Sequence, residues 1–248
     1  MTFDRDTEAL AIRERLNAAN ARENLEEWMA AQIPMEQPRR ILDLGCGRGK
    51  QLTFFAKRWP AASLLGIDAS PQAVAEVRAA ALRQHLNNIE AQESDFSNCL
   101  DKLRGEKFDL VMSTYAIYYA KDVVSFVRLI AGYLNPRGMC FVVGYADGSN
   151  QELFALVNAV RGGALRSDDF LSPSQIQSIA SGYQRVQTSR LSNEIRFENA
   201  SNAMDWWRNS NTYCGEIDAE ITSEIGKVIS RQGYFALTKN SLAVKLFA

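Results

Sequence analysis

Three glycines spaced two residues apart, Gly45, Gly47 and Gly49, form the part of the sequence best suited to binding a nucleotide-like ligand. Glycine adopts positive φ angles and lets a ligand lie against bare backbone. Asp43 precedes this glycine-rich turn, and Asp68 follows it by about the spacing at which nucleotide-binding folds place an acid for the ribose hydroxyls. The pattern predicts a cradle for a ligand that contains a ribose.

The spacing of the glycines separates this turn from two other ligand-binding loops. A dinucleotide-binding turn reads G-x-G-x-x-G, and its third glycine would fall at Lys50. A Walker A loop needs Ser or Thr after its Gly-Lys pair, whereas Gln51 follows Lys50 here. The first mismatch disfavours an NAD-dependent oxidoreductase, and the second excludes the P-loop motif.

The elements that must position the turn alternate between short apolar strands and helices from residue 39 onward. Strands are predicted over 40–44, 63–67, 88–92, 108–113, 139–143, 183–190, 194–197 and 242–247, and helices over 7–31, 50–58, 70–85, 123–134, 150–160, from 172, 200–209 and 217–230. Regular alternation implies right-handed crossovers and a mostly parallel, doubly wound sheet. The glycine-rich turn then lies at the carboxyl end of the first strand, where open α/β sheets bind ligands.

Several motifs together resemble those of class I S-adenosylmethionine (SAM)-dependent methyltransferases. They are Ile41 to Gly49, Asp68, Asp95-Phe96, Phe108 to Val111 and Leu134 to Gly138. The resemblance covers roughly residues 39–145 and the terminal strand. It implies a Rossmann-like, seven-stranded α/β sheet with helices on both faces, a helical insertion or cap, and SAM as cofactor. Arg137 departs from the pattern, because the family more often has two glycines in this turn.

The resemblance also implies the cofactor contacts. Asp43, Gly45, Cys46, Gly47 and Gly49 would hold the methionine part, Asp68 the ribose, and Asp95 and Phe96 the adenine, with Ala69 and Ser113 as further contacts. Three alternatives stay open: a purely structural glycine turn, an Asp43 that only orients the turn, and an Asp95 that caps the following segment. The implied organisation is an N-terminal lid or flank over 1–38, a SAM-binding core over 39–148, an insertion with part of the sheet over 149–236, and a terminal strand over 237–248.

The acceptor side is expected after the fourth strand, where three tyrosines occur. Methyl transfer is an in-line displacement that needs alignment, and a general base helps only when the acceptor carries a proton. We expect Tyr115 and Tyr119 to form an aromatic wall near the cationic sulfonium, with Tyr118 near the substrate. Core packing of at least one tyrosine is the alternative. The segment lacks the Pro-Pro-aromatic motif of DNA amino-methyltransferases, and no Asp-rich metal site is evident.

The insertion supplies a second group of candidate substrate contacts, Trp206, Arg208 and Tyr213. Aromatic rings and an arginine suit an acceptor pocket that pairs with an anionic group. Because Trp206 and Trp207 are adjacent on a helix, they cannot share one face, and we expect one of them to pack in the core. His85, the only histidine, is expected to cap a helix end rather than act as a base.

Composition narrows the function further. The chain has 28 Lys and Arg against 29 Asp and Glu, and this balance disfavours a nucleic-acid partner. Four scattered cysteines argue against zinc or disulfides, and we expect no signal peptide, no membrane span and a cytoplasmic location. The favoured interpretation is a small-molecule methyltransferase with an oxygen or nitrogen acceptor. A protein or RNA methyltransferase and a non-catalytic SAM-binding protein are the alternatives, and the oligomeric state is not indicated.

Overall fold

The computed structural model describes residues 6–248, which divide into two compact units. The sheet unit comprises Met29–Gly144, Asp169–Ser189 and Leu242–Ala248, and the helical unit comprises the chain up to Trp28, Tyr145–Asp168 and Arg190–Ser241. These boundaries differ from the predicted ones. Residues 29–38 belong to the sheet unit, and Met29 and Ile33 are buried. The helix that begins at Pro173 also belongs to the sheet unit. The lid or flank over 1–38 and the insertion over 149–236 stay predictions.

The described residues form one seven-stranded sheet, which confirms the doubly wound α/β prediction. Its strands are β1 Arg40–Leu44, β2 Ser63–Asp68, β3 Ile89–Glu93, β4 Phe108–Thr114, β5 Leu134–Tyr145, β6 Arg185–Phe197 and β7 Phe235–Phe247. Their order across the sheet is β3-β2-β1-β4-β5-β7-β6. Strand β1 pairs in parallel with both β2 and β4, and β2–β3 and β4–β5 are parallel as well.

The central strands are held by apolar residues on both faces. Four of five residues of β1 are buried, as are five of seven in β4. A parallel strand covered by helices on both sides has such a continuous apolar run, because neither face meets water. The sequence prediction for 108–113 is therefore confirmed. The strand order reverses between β1 and β4, which creates a crevice at their carboxyl ends.

Ten α-helices occur in the described residues. They are α1 Asp6–Asn20, α2 Leu25–Gln32, α3 Lys50–Arg58, α4 Pro71–Arg83, α5 Cys99–Lys102, α6 Val123–Ile130, α7 Gln151–Arg161, α8 Pro173–Ala180, α9 Ala200–Arg208 and α10 Asp218–Gln232. Helix α4 begins as the sequence predicts, because Ser70 Oγ accepts a hydrogen bond from the N–H of Ala73 and Pro71 occupies the first turn. His85 follows α4, is exposed and has a φ of 55°.

The helical unit has its own apolar core, built on α9. Trp206 and Trp207 are both buried, and they pack with Leu153, Phe197 and Ile221. The prediction that one of the two tryptophans packs in the core is confirmed, and the second is buried in the same core. Helix α9 contacts α1 and α10, so opposite faces of the same helix are covered. Strand β6 is also continuous, where two separate strands were predicted.

Candidate functional site

The glycine-rich turn and the tyrosine segment lie side by side in the sheet unit. Residues 45–49 follow β1, and residues 115–119 follow β4, its parallel neighbour. This is the point at which the strand order reverses. Open α/β sheets bind ligands in the crevice at that position, so the two segments predicted to hold cofactor and acceptor begin at one edge of the sheet.

Glycines at positions 45, 47 and 49 leave the backbone of the turn without side chains at these three positions. Gly45, Gly47 and Gly49 have φ angles of 72°, 51° and 77°, which favour glycine. A Cβ on Gly45 would lie 2.3 Å from Cβ of Ala116 and 3.4 Å from the Phe96 ring. The position therefore requires glycine for its conformation and for its space. Ala116 is a part of the site that the sequence motif does not reveal, because its small size matters only through this contact.

Asp68 is fixed against the turn by two backbone hydrogen bonds. Its Oδ2 accepts from the N–H of Gly47 at 2.7 Å, and its Oδ1 accepts from the N–H of Ser70 at 2.9 Å. Each carboxylate oxygen has two lone pairs, so both keep acceptor capacity for a ligand. The geometry thus places a preoriented carboxylate beside the glycines, at the end of β2, as a ribose acceptor requires. Ala69 lies half-buried directly after it.

Asp43 is a buried carboxyl group without a hydrogen-bond partner among residues 6–248. Its side chain is 1% exposed, and both Oδ1 and Oδ2 lack a partner. Burial, and secondarily the charge of Asp68, raise the pKa of Asp43 to about 8. Buried polar groups nearly always have partners, so a donor or cation from a ligand is the natural complement. This orphaned carboxyl beside the glycine-rich turn fits SAM, which carries an ammonium group and a sulfonium.

The remaining predicted cofactor residues divide into those at the turn and those at its margin. Cys46 is buried in the turn, and burial raises the pKa of its thiol well above the usual range. The hydroxyl of Ser113 is also buried and donates to the carbonyl of Leu44 at 2.7 Å. Ser113 therefore ties β4 to the end of β1, directly before the glycines.

Phe96 and Asp95 lie differently from each other. The Phe96 ring is half-buried beside Gly45 and meets Phe126 edge-on at 5.2 Å. Asp95 is exposed, and its Oδ1 accepts from the N–H groups of Ser97 and Asn98. These bonds form the turn-capping arrangement that the alternative prediction describes. Contact of Asp95 with adenine stays a prediction.

The three tyrosines are arranged in a short turn after β4. Tyr115 has a φ of 54°, which is unusual for a bulky residue, and its N–H donates to the carbonyl of Val143 at 2.7 Å. The rings of Tyr118 and Tyr119 lie 4.9 Å apart. Tyr119 is 52% exposed, so core packing does not account for it. An aromatic wall near the acceptor remains our prediction for this segment.

The proposed substrate contacts of the insertion lie in the helical unit, and the structure does not bring them together in one pocket. The Trp206 indole donates to Oδ1 of Asn17 at 2.9 Å and faces α1. Arg208 instead forms a bidentate pair with Asp218 at 2.7 and 2.8 Å, and the Tyr213 hydroxyl donates to the same carboxylate. The Arg208 cation is therefore already paired. A substrate role for these residues stays a prediction.

Between residues 6 and 248 the structure shows neither a cluster of metal-ligating side chains nor a helix that could span a membrane. No group of three or more His, Cys, Asp or Glu side chains is placed to hold a metal ion. No helix in that range is long and apolar enough to cross a membrane.

The residues of this site lie within a segment that is similar to known methyltransferases. Residues 41–138 match the methyltransferase domain family. Trans-aconitate 2-methyltransferase of Escherichia coli O139:H28 is 31% identical over 114 residues, which are 46% of this chain and 42% of that enzyme. The chain therefore spans less than half the length of the curated relatives it matches.

Solved structures share the fold over most of the chain. The YcgJ protein of Bacillus subtilis superimposes with a TM-score of 0.61 at 16% identity, covering 90% of this chain and 97% of that one. Phosphoethanolamine N-methyltransferase 2 of Haemonchus contortus, in complex with phosphomonomethylethanolamine and S-adenosylhomocysteine, gives 0.55 at 16% identity and covers 89% and 52%. The chain has the Rossmann-like fold of class I SAM-dependent methyltransferases.

Proposed function

We propose that this chain transfers a methyl group from SAM to an oxygen or nitrogen atom of a small-molecule acceptor. The observation that carries the proposal is the unpartnered, buried carboxyl of Asp43 beside a glycine cradle. A purely structural turn gains nothing from an orphaned carboxyl, whereas a cationic ligand supplies its missing partner. A cationic ligand would also favour the ionised form of Asp43, whereas a phosphate would not, so the site favours a sulfonium nucleoside over a phosphate-bearing dinucleotide.

Three residues of the sheet unit would bind different parts of SAM. Asp68 would accept hydrogen bonds from the ribose hydroxyls, since Gly47 and Ser70 hold its carboxylate in place. Phe96 would pack against the adenine ring beside Gly45. Asp43 would balance the positive charge of the methionine part. Bound SAM supplies an activated methyl group, which moves as the acceptor lone pair forms a bond to its carbon and the carbon–sulfur bond breaks.

Alignment is the main catalytic contribution that we assign to the chain. Holding two reactants in line provides several kcal/mol without a nucleophilic side chain or a metal. Tyr115 and Tyr119 would form one wall of the reaction site and attract the sulfonium through their ring faces. A protonated acceptor would also require a base, and a tyrosine, aspartate or glutamate would have to serve.

Charge balance and the names of the relatives support a small acceptor. The net charge of −1 gives no excess of cations for a polynucleotide. Two relatives are named for small molecules, trans-aconitate and phosphoethanolamine. A protein or RNA methyltransferase and a SAM-binding protein without activity are the competing functions, and one assay separates all three.

The assay measures transfer of a tritiated methyl group from SAM to a panel of acceptors. The panel contains organic acids, phosphate esters, amines and phenols, with a protein extract and total RNA as separate arms. We expect label in at least one small molecule and none in the polymers. Label confined to protein or RNA would replace the proposed acceptor class, and tight SAM binding without any transfer would support the non-catalytic alternative.

A further inference from the structure

Two partly exposed cationic side chains of the helical unit, Arg13 and Lys239, interact electrostatically. Lys239 Nζ lies 4.5 Å from the centroid of the Trp206 ring and donates to Oδ1 of Asn150 at 2.9 Å. Trp206 in turn donates from its indole to Asn17 on α1. Asn17 and Arg13 are four residues apart and share one face of that helix. Trp206 and Asn17 thus connect Lys239 to the helix face that carries Arg13, and the charge of Arg13 acts on Lys239.

Neither cation is balanced by a carboxylate within the part of the chain that the structure describes. Arg13 Nε is buried and has no hydrogen-bond partner. The partners of Lys239 are an amide oxygen and an aromatic ring, neither of which carries a full charge. The carboxylate of Glu152 on α7 accepts instead from the N–H and hydroxyl of Thr238. Burial and the neighbouring Arg13 lower the pKa of Lys239 to about 7.

An unbalanced cation pair is costly unless a ligand completes it. Arg13 and Lys239 are only partly exposed, and a partly desolvated charge without a counter-charge destabilises a fold. Buried donors such as Nε of Arg13 nearly always find acceptors. An oxyanion would supply both a compensating charge and the missing acceptor for Arg13. The guanidinium fork and the ammonium together match the oxygens of a carboxylate or a phosphate.

We propose that Arg13 and Lys239 form a binding site for an oxyanion, the carboxylate or phosphate group of a small molecule. The site lies wholly within the helical unit and needs no residue of the glycine-rich turn.

Binding of two anionic probes to the full chain tests the proposal. Citrate and inorganic phosphate are titrated by calorimetry at constant ionic strength, with the uncharged trimethyl ester of citrate as a matched neutral probe. We expect saturable binding of citrate, phosphate or both, and no binding of the ester. The probe that binds with the higher affinity then identifies the ligand group as a carboxylate or a phosphate.

Variants locate the binding at the cation pair. Arg13→Met and Lys239→Met should each lower the affinity for the tighter-binding probe at least tenfold. Arg231→Met and Lys227→Met, which remove exposed cations of the same unit, should leave that affinity unchanged. Arg13→Lys and Lys239→Arg keep the charge and should retain binding, so a folding defect of the methionine variants does not decide the result. Circular dichroism checks the fold of each variant.

The proposal fails if neither probe binds saturably, or if Arg13→Met and Lys239→Met bind as tightly as the wild-type chain. The affinity for SAM is measured on the same samples. If the wild-type chain does not bind SAM, the proposed function is wrong. The oxyanion site is not affected by that result, because it is tested with the anionic probes alone.

Discussion

The N–H of Gly47 donates to Oδ2 of Asp68 at 2.7 Å, which joins the glycine-rich turn to the acid at the end of the neighbouring strand. The two residues are far apart in sequence, and the parallel pairing of β1 with β2 brings them together. The bond orients the carboxylate before any ligand arrives. Preorganisation of this kind reduces the entropy lost on binding.

Removing the charge of Asp68 should weaken SAM binding. Charge-assisted hydrogen bonds contribute about 1.5–3 kcal/mol, so Asp68→Asn should lower the affinity roughly ten- to a hundredfold. Calorimetric titration with SAM measures the change, and Asp101→Asn, at an exposed carboxylate, serves as the control. Equal affinities of Asp68→Asn and the wild-type chain would exclude the ribose role.

A methyl group on Gly45 should damage both the fold and the ligand site. The left-handed backbone costs a non-glycine residue about 1–2 kcal/mol, and the added Cβ would collide with Ala116. Gly45→Ala should therefore lower the free energy of unfolding and abolish measurable SAM binding. The control is Gly226→Ala in α10, where nothing lies within 4 Å of the new Cβ.

The control should change stability in the opposite direction. Alanine is favoured over glycine inside a helix by about 0.5–1 kcal/mol, so Gly226→Ala should raise the free energy of unfolding and leave SAM affinity intact. Denaturation in urea measures both variants. If Gly45→Ala were as stable as the wild-type chain and bound SAM normally, the turn would not have the geometry described.

The sequence was informative about the sheet unit because its signals are local. The apolar strands β1 to β4, the Ser-Pro start of α4 and the glycine spacing each depend on neighbouring residues, and they agree with the prediction. Strand β5 differs, because it begins at Leu134, where the end of a helix was predicted. The sequence motif does not indicate Ala116, because its role depends on a contact with Gly45, and the two residues follow different strands. The capping bonds of Asp95 were foreseen only as an alternative, since an aspartate before Ser and Asn suits either role.

Burial of Asp43 should make the ligand-free protein less stable as pH rises. The carboxyl ionises near 3.8 when exposed but at about 8 in the folded chain, so the folded state binds more protons between these values. The free energy of unfolding attributable to this group then falls as pH increases from about 4 to about 8.

Asp43→Asn removes this pH dependence. The difference in unfolding free energy between variant and wild type should shift in favour of the variant by at most about 1.4 kcal/mol per pH unit in that window. Urea denaturation at a series of pH values provides the measurement, without SAM present. Parallel pH profiles of the two proteins would show that Asp43 is ionised at low pH in the fold, contrary to its burial.

Tyr119 should distinguish SAM from its demethylated product. A cation over an exposed aromatic ring gains about 0.5–1 kcal/mol, so Tyr119→Ala should lower SAM affinity roughly two- to fivefold. The affinity for S-adenosylhomocysteine, which lacks the sulfonium charge, should stay the same. Tyr119→Phe keeps the ring and should behave as the wild-type chain, whereas an equal loss of both ligands in Tyr119→Ala would remove the aromatic wall from the site.

The helical unit was predicted less well because its organisation depends on long-range contacts. Both tryptophans of α9 are buried since α1 and α10 contact the same helix, and no local pattern indicates two partners. The sequence predicts that Arg208 contacts a substrate, whereas in the structure Arg208 pairs with Asp218. Arg13 and Lys239 carry no motif, and only the folded chain sets them together.

The most direct test of the central claim is calorimetric titration of the wild-type chain with SAM, beside Asp43→Asn and Asp68→Asn. Saturable binding of one SAM per chain, weakened in both variants, is the expected result. Absence of binding at high micromolar SAM, or binding that neither substitution changes, would contradict a SAM site built on the glycine-rich turn and its two carboxyl groups.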